Sequence, residues 1–298
     1  MAKNEEKKKP EEEKKPGSEV IVYDFGDDAG KGMEGVRQDE YRIPFLKILD
    51  PKGKECKPVE AGGVSGARAG MVYNTSTGEL LDGKKGFVFY PVQRKHEFIE
   101  WIPKDDKGGG GGFIGVHSPD EAIVGQLRAV HGRFGKLPMD NGHELAETFS
   151  LFGLYVYDDQ PPVMATIAFS STQIPKYQKF ISRYMNITYP GANGQPIRPP
   201  LWAHRWRFNT VFEQKGEFSW YGWKITLDAK DADGMELHPR ESLVPRTAQL
   251  YLDCKTFYTM IEEGKAKVDY NQAREPGDDT DDIAREGAGG KVEEEVPM

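Results

Sequence analysis

WAHRWRFNTVFEQKGEFSWYGWKITL, residues 202–227, governs how the rest of the chain is read. Trp202, His204, Trp206, Phe208, Thr210 and Phe212 occupy even positions. A strand turns alternate side chains to opposite faces, so these six share one face and Arg205, Arg207 and Asn209 take the other. After Gln214-Lys215-Gly216 the alternation resumes, with Phe218, Trp220 and Gly222 interleaved with Tyr221, Trp223 and Ile225. Two such runs joined by a short Gly-containing turn read as a β-hairpin. It carries four of the five Trp, plus Phe208, Phe212, Phe218 and Tyr221, with Arg205, Arg207, Lys215 and Lys224 among them. Flat rings beside guanidinium and ammonium groups suit a groove that stacks unpaired bases and tracks their phosphates. The same rings also suit a core, since aromatics bury large areas in any β-protein. The hairpin by itself leaves both readings open.

Charge is distributed unevenly around this block. Residues 1–16 hold six Lys and five Glu with almost nothing apolar, and residues 271–298 hold nine acidic against three basic residues. Neither segment can bury enough surface to offset the entropy of ordering, so both read as charged tails. The formal net charge is −8; the tails contribute +1 and −6, which leaves −3 on a body of about 250 residues, enough for one core. Within that acidic body, Lys176 to Lys224 carries eight Lys and Arg against two Glu. That argues against a coat binding duplex through bulk charge and is compatible with one local groove of matching sign. The expected division is a tail at 1–18, one domain at 19–268 and an acidic tail at 269–298.

Elsewhere the patterns are mostly those of strands. Val20 to Phe25 alternates as a short strand, and Glu40 to Asp50, with a central Pro, reads as an irregular one. Gly62 to Met71 is a Gly-rich loop leading to Val72-Tyr73-Asn74 and a turn at Thr77-Gly78. Gly86 to Gln93 and Glu97 to Ile102 read as a second hairpin. Five consecutive Gly at 108–112 read as a mobile loop, because a phosphate cradle needs a following Lys-Ser/Thr that is absent. Leu151 to Tyr157 and Val163 to Phe169 are apolar strands around an Asp158-Asp159-Gln160-Pro161-Pro162 turn. Ile174 to Ile187 has helical spacing in Tyr177, Phe180, Ile181 and Tyr184, with Pro175 in its first turn and Ser171 or Thr172 as a cap. Lys176, Lys179 and Arg183 share the other side of that helix, a pattern more often that of a simply solvated face. Ala248 to Glu262 reads as a closing helix.

Catalytic signatures are lacking. The six His form no HExxH or similar ligand pair, no GxSxG elbow occurs, and Cys56 and Cys254 are isolated. No catalytic residue, metal ligand or cofactor is therefore expected. The absence of a signal-peptide core and of any 18-residue apolar run favours a reducing cytoplasm and no membrane partner.

The stretches GARAGMVYNTSTGE (66–79), HEFIEWIPKDDKGGGGGFIGVH (96–117), FSSTQIPKYQKF (169–180) and FNTVFEQKGEFSWYGW (208–223), with the acidic end, resemble the single-stranded DNA-binding proteins of tailed-bacteriophage replication modules. The charged Lys/Glu amino terminus departs from that pattern. The resemblance implies a mainly β (α+β) body built as an OB-like β-barrel with long insertions and one or two flanking helices. It also implies sequence-tolerant binding of single-stranded DNA in the host bacterial cytoplasm, and contact with replication or recombination proteins through the acidic tail. The expected stacking pool is Trp202, Trp206, Phe208, Trp220, Tyr221 and Trp223, listed from both strand faces. The expected phosphate contacts are Arg205, Arg207, Lys215 and Lys224, helped by Lys176, Lys179 and Arg183. A homo-oligomer is compatible with this reading. The rivals are a virion structural or assembly protein, whose hairpin aromatics are core, and a recombination or nuclease component using Asp158.

Overall fold

The computed structural model describes residues 31, 42–104, 110–132, 135–231 and 234–273. The tail at 1–18, the strand expected at Val20–Phe25 and the acidic residues from 274 onward lie outside them. By contacts the chain divides into Met1–Arg37 and Gln38–Met298, and the architecture below belongs to the second unit.

That unit begins with β1 (Arg42–Ile43), β2 (Leu46–Ile48), β3 (Val72–Asn74), β4 (Leu80–Leu81), β5 (Phe87–Lys104) and β6 (Gly110–His117). Then come α1 (Ala122–His131), β7 (Leu137–Pro138), β8 (Glu144–Val156), β9 (Val163–Ser170) and α2 (Ile174–Met185). The short ribbon of β10 (Tyr189–Pro190) and β11 (Pro196–Ile197) leads to β12 (Trp206–Lys215) and β13 (Phe218–Leu227). The last elements are α3 (Gln249–Glu262), β14 (Lys267–Val268) and α4 (Tyr270–Ala273).

The fold is mainly β, as expected. Its seven-stranded sheet runs β13-β12-β5-β8-β7, with β6 added to β5 and β9 to β8. Every pairing within it is antiparallel. The ladder is open, which corrects the expected closed OB-like barrel. A separate sheet of β2, β3 and β4, with the residues flanking it, contacts β9 and β12 instead. On one side the Thr166 amide donates to the Pro44 carbonyl (2.8 Å). On the other, the Thr210 amide donates to the Gly83 carbonyl (2.8 Å) and its hydroxyl to the Gly70 carbonyl (2.5 Å). Close approach there requires glycine: a Cβ on Gly83 would stand 2.0 Å from the Gly70 carbonyl, and one on Gly70, at φ +81°, 2.4 Å from the Tyr221 ring.

Two further expectations are corrected. Gly86–Gln93 and Glu97–Ile102 are one strand, β5, and not a hairpin. Polar Gln93 to His96 looked like a turn, but a bulge between Pro91 and Gln93 carries the ladder through it. The His96 ring stacks on Phe149 at 4.1 Å, so a polar residue in mid-strand has an apolar partner. The glycine run, read as a mobile loop, extends into β6, with Gly110 and Gly112 paired to Lys104 and Ile102.

Both faces of the large sheet are covered. Phe87, Phe89, Leu151, Phe169, Trp206 and Phe208 meet Tyr177 and Phe180 of α2 and Leu46, Val72 and Leu81 of the small sheet. On the opposite face Tyr90, Val92, Phe152 and Leu154 meet Cys254, Phe257 and Ile261 of α3. No side chain caps α2; a strained turn at Ser171–Gln173, with φ +48° at Ser171, precedes it, so the Ser171 or Thr172 cap does not form. The chain also stays folded past residue 268, where the acidic tail was set to begin. β14 pairs in parallel with β1, Asp269 holds Arg42, and Tyr270 is buried against Phe45 and Phe113. Among the described residues no helix is long and apolar enough to cross a membrane.

Candidate nucleic-acid interface

The 202–227 stretch forms the hairpin its alternation predicts, with Gly216 at φ +57° opening a two-residue turn. Its register pairs Trp206 with Leu227, Phe208 with Ile225, Thr210 with Trp223 and Phe212 with Tyr221. That face is the inner one. Trp206 and Phe208 are 0% exposed and Trp223 only 3%, packed among Phe87, Phe89 and Phe180. Trp202, in the turn before β12, lies against Tyr251 and Tyr258 of α3. Four of the six expected stacking rings are thus committed to packing: Trp206, Phe208 and Trp223 in the core under α2, and Trp202 in the cluster under α3.

The outer face carries Arg207 and Asn209 on β12 opposite Thr226 and Lys224 on β13, with Glu213 opposite Trp220 and Lys215 opposite Phe218. Arg207 and Asn209 are half-buried and Lys224 is exposed. Two rings on this face reach solvent: Trp220 is half-buried and Phe218 is 39% exposed. At the tip of the inner face, beyond the core, Phe212 is 59% exposed and its ring meets half-buried Tyr221 edge-on at 5.5 Å. Trp220 and Tyr221 of the expected pool therefore remain accessible. Phe212 and Phe218 join them, and their position beside the turn was the signal that no core would cover them.

The expected cations converge on this surface. Arg205 and Arg207 both hold Asp228, Arg207 through contacts of 3.0 and 2.8 Å. Together with Lys85 and Lys230, which the sequence reading did not single out, they line an open trough. Arg183 of α2 grips Glu236 with both guanidinium nitrogens (2.9 and 2.6 Å). That bond, aided by nearby Lys230 and Lys224, holds the Glu236 carboxyl below the usual carboxylate range. Lys176 pairs with Glu213, whose other oxygen accepts from the Trp220 indole (2.9 Å). Lys179 is exposed on the same side of α2, and Lys215 stands exposed at the tip.

Carboxylates thus occupy the cations of both elements: Glu213 of β12 holds Lys176 and Glu236 holds Arg183 on the α2 side, while Asp228 holds Arg205 and Arg207 at the start of β12. Gly222, opposite Val211, leaves Glu213 room: a Cβ there would stand 2.8 Å from Glu213 Oε2. Exposed pairs of this kind contribute only about 0–1 kcal/mol each. Guanidinium groups bond bidentately to phosphate as they do to carboxylate, so a polyanion can exchange for the carboxylates at little cost. The acid of the rival nuclease reading is engaged: Asp158, in its turn at φ +51°, is paired with Lys85. Among the described residues no three His, Cys, Asp or Glu converge as a metal ion requires.

Comparison with curated proteins and with solved structures returns no match. The sequence from residue 13 to 267 does match one family, described as Pam3 phage gp34-like protein, and since that spans most of the 298 residues, the chain belongs to this phage family.

Proposed function

We propose that this phage protein binds single-stranded DNA, without regard to sequence and without catalysis, on the outer face of the β12–β13 hairpin and the adjoining side of α2. The observation that carries the reading is the sharing of one surface by solvent-exposed rings and cations. Phe218 and Trp220 stand in line with Lys224, Arg207 and Arg205, and Lys176 and Arg183 flank them. Phosphates would take the guanidinium and ammonium groups now held by Asp228, Glu236 and Glu213, and bases would stack on the rings. Such binding serves replication or recombination of phage DNA in the infected cell, with the acidic C-terminus contacting the proteins of that machinery. Fluorescence anisotropy of labelled oligo(dT), titrated with the full chain at low ionic strength, tests the reading. Saturable binding that weakens with salt is expected, and no binding at low salt refutes it.

A further inference from the structure

Next to the hairpin tip is a cleft that the proposed surface does not use. Trp220, Tyr221 and Trp223 of β13 line it together with Phe45 and Tyr270. Its volume is about 120 Å³. That is ample beside the roughly 10–15 Å³ that one water occupies by the same kind of measure, and comparable with the roughly 150 Å³ of cavities that take up a benzene ring. Enclosed sites for drug-sized molecules run to roughly 300–1,000 Å³, so the cleft is sized for a single ring. Small side chains line it on β8 and β9: Ala146 and Thr148, then Ala168 and Ser170.

Two features separate this cleft from an apolar hole left by imperfect packing. Thr172, Gln173 and Asp50 line it, so a ring inside meets hydrogen-bonding groups. The wall is also held rigidly in place. Gln173 Oε1 accepts from the Trp223 amide (3.0 Å) while its Nε2 approaches the Tyr221 carbonyl (3.5 Å), fixing the strand that carries the rings. Tyr270 is clamped by Phe45, Phe113 and a hydrogen bond to Glu97.

We propose that the cleft receives one planar heteroaromatic ring of pyrimidine size, a base unstacked from the strand. This deepens the proposed function and rests on it for the source of the ring, because Trp220 both faces the cationic surface and lines the cleft. A base leaving the outer face there turns past Trp220 around β13, the edge strand of the sheet.

The test uses the full chain and free thymidine, read by tryptophan emission, since Trp101, Trp220 and Trp223 all line the cleft. Saturable quenching at millimolar thymidine is expected. Ala168→Phe, which fills the cleft, should weaken it at least tenfold. Thr172→Val, which keeps the side chain's shape but removes one hydroxyl and with it the long 3.4 Å bond from Gln173 Nε2, should weaken it about threefold. Circular dichroism verifies that each variant is folded, and Thr172→Val carries the test if Ala168→Phe is not. Quenching that is linear in thymidine, or that is the same in folded variants as in the parent, overturns the inference. If oligo(dT) binds and thymidine does not, the cleft proposal falls and the surface reading stands. If thymidine saturates and oligo(dT) does not bind, the surface reading falls and the cleft remains a ring site.

Discussion

Trp206→Ala and Trp220→Ala should have opposite consequences, although the two residues are the same amino acid on neighbouring strands of one hairpin. Trp206 is fully buried, with the Phe180 ring edge-on at 4.7 Å. Truncating a buried aromatic of this kind costs about 3–5 kcal/mol through lost transfer energy and the cavity left behind. Trp220 is half-buried near the tip, and one hydrogen bond to Glu213 holds it. Its loss should cost under about 1 kcal/mol of stability. It should also remove about 1–3 kcal/mol of oligonucleotide binding, a loss of about 5- to 150-fold in affinity. A third variant sharpens the contrast. The Trp206 indole N–H finds no acceptor among the described residues, and such a group costs about 1–3 kcal/mol to bury. Trp206→Phe drops that group along with part of the ring, and the two effects should cancel to within about 1 kcal/mol. Urea unfolding followed by far-ultraviolet circular dichroism measures the stabilities, and anisotropy with labelled oligo(dT) measures the binding. A Trp206→Ala variant losing under about 1 kcal/mol, or a Trp220→Ala variant that unfolds but binds normally when folded, would refute the assignment of faces.

Asp228→Asn releases Arg205 and Arg207 from a competing carboxylate and should tighten oligo(dT) binding about two- to tenfold at low salt; weaker binding would show that Asp228 positions the arginines instead. The double variant Arg205→Gln/Arg207→Gln should flatten the plot of log affinity against log salt by about 1.4, from about 0.7 per phosphate contact on a single strand. His204 is buried, donates from Nδ1 to the Ser242 hydroxyl (2.8 Å), and its pKa is pulled down by burial to about 4. It stays neutral in the fold while the unfolded chain takes up a proton near the ordinary His value. Stability is therefore lost as pH falls from about 6.5 toward 4, by about 2 kcal/mol at pH 5, and urea unfolding of His204→Gln should lack that loss. His117 has the opposite sign: hydrogen bonds from its ring to the carboxylates of Glu100 (2.7 Å) and Glu121 (2.8 Å) raise its pKa. Its contribution is full below the ordinary His value and fades as pH rises through the raised one, so His117→Gln should destabilise more at pH 6 than at pH 8.5.

Some of this molecule is legible one residue at a time. The hairpin at 206–227, the helix at 174–185 and the apolar strands within β8 and β9 follow from local period and turn chemistry, which need no knowledge of neighbours. The local basic block from Lys176 to Lys224 was also legible, since charge is a property of composition, but Lys85 and Lys230 joined Arg205 and Arg207 only through the fold. β5 was not, because the groups that make a polar stretch tolerable in mid-strand, Phe149 beside His96 among them, come from other elements. Tyr270 was hidden for a related reason: it precedes an acidic run, yet Phe45 and Phe113 from distant parts of the chain bury it.

The aromatic faces show the division most plainly. Alternation along β12 and β13 separates two sets of side chains, and both sets contain rings, so hydrophobicity alone cannot rank them. The choice was made where Trp206 and Phe208 fell opposite Phe89 and Phe87 in the ladder and Phe180 closed over them from α2. Burial depends on which partner arrives across the sheet, an interaction between residues more than a hundred positions apart. That left Trp220 and Phe218 on the outer face, at the tip of the hairpin whose base carries Arg207.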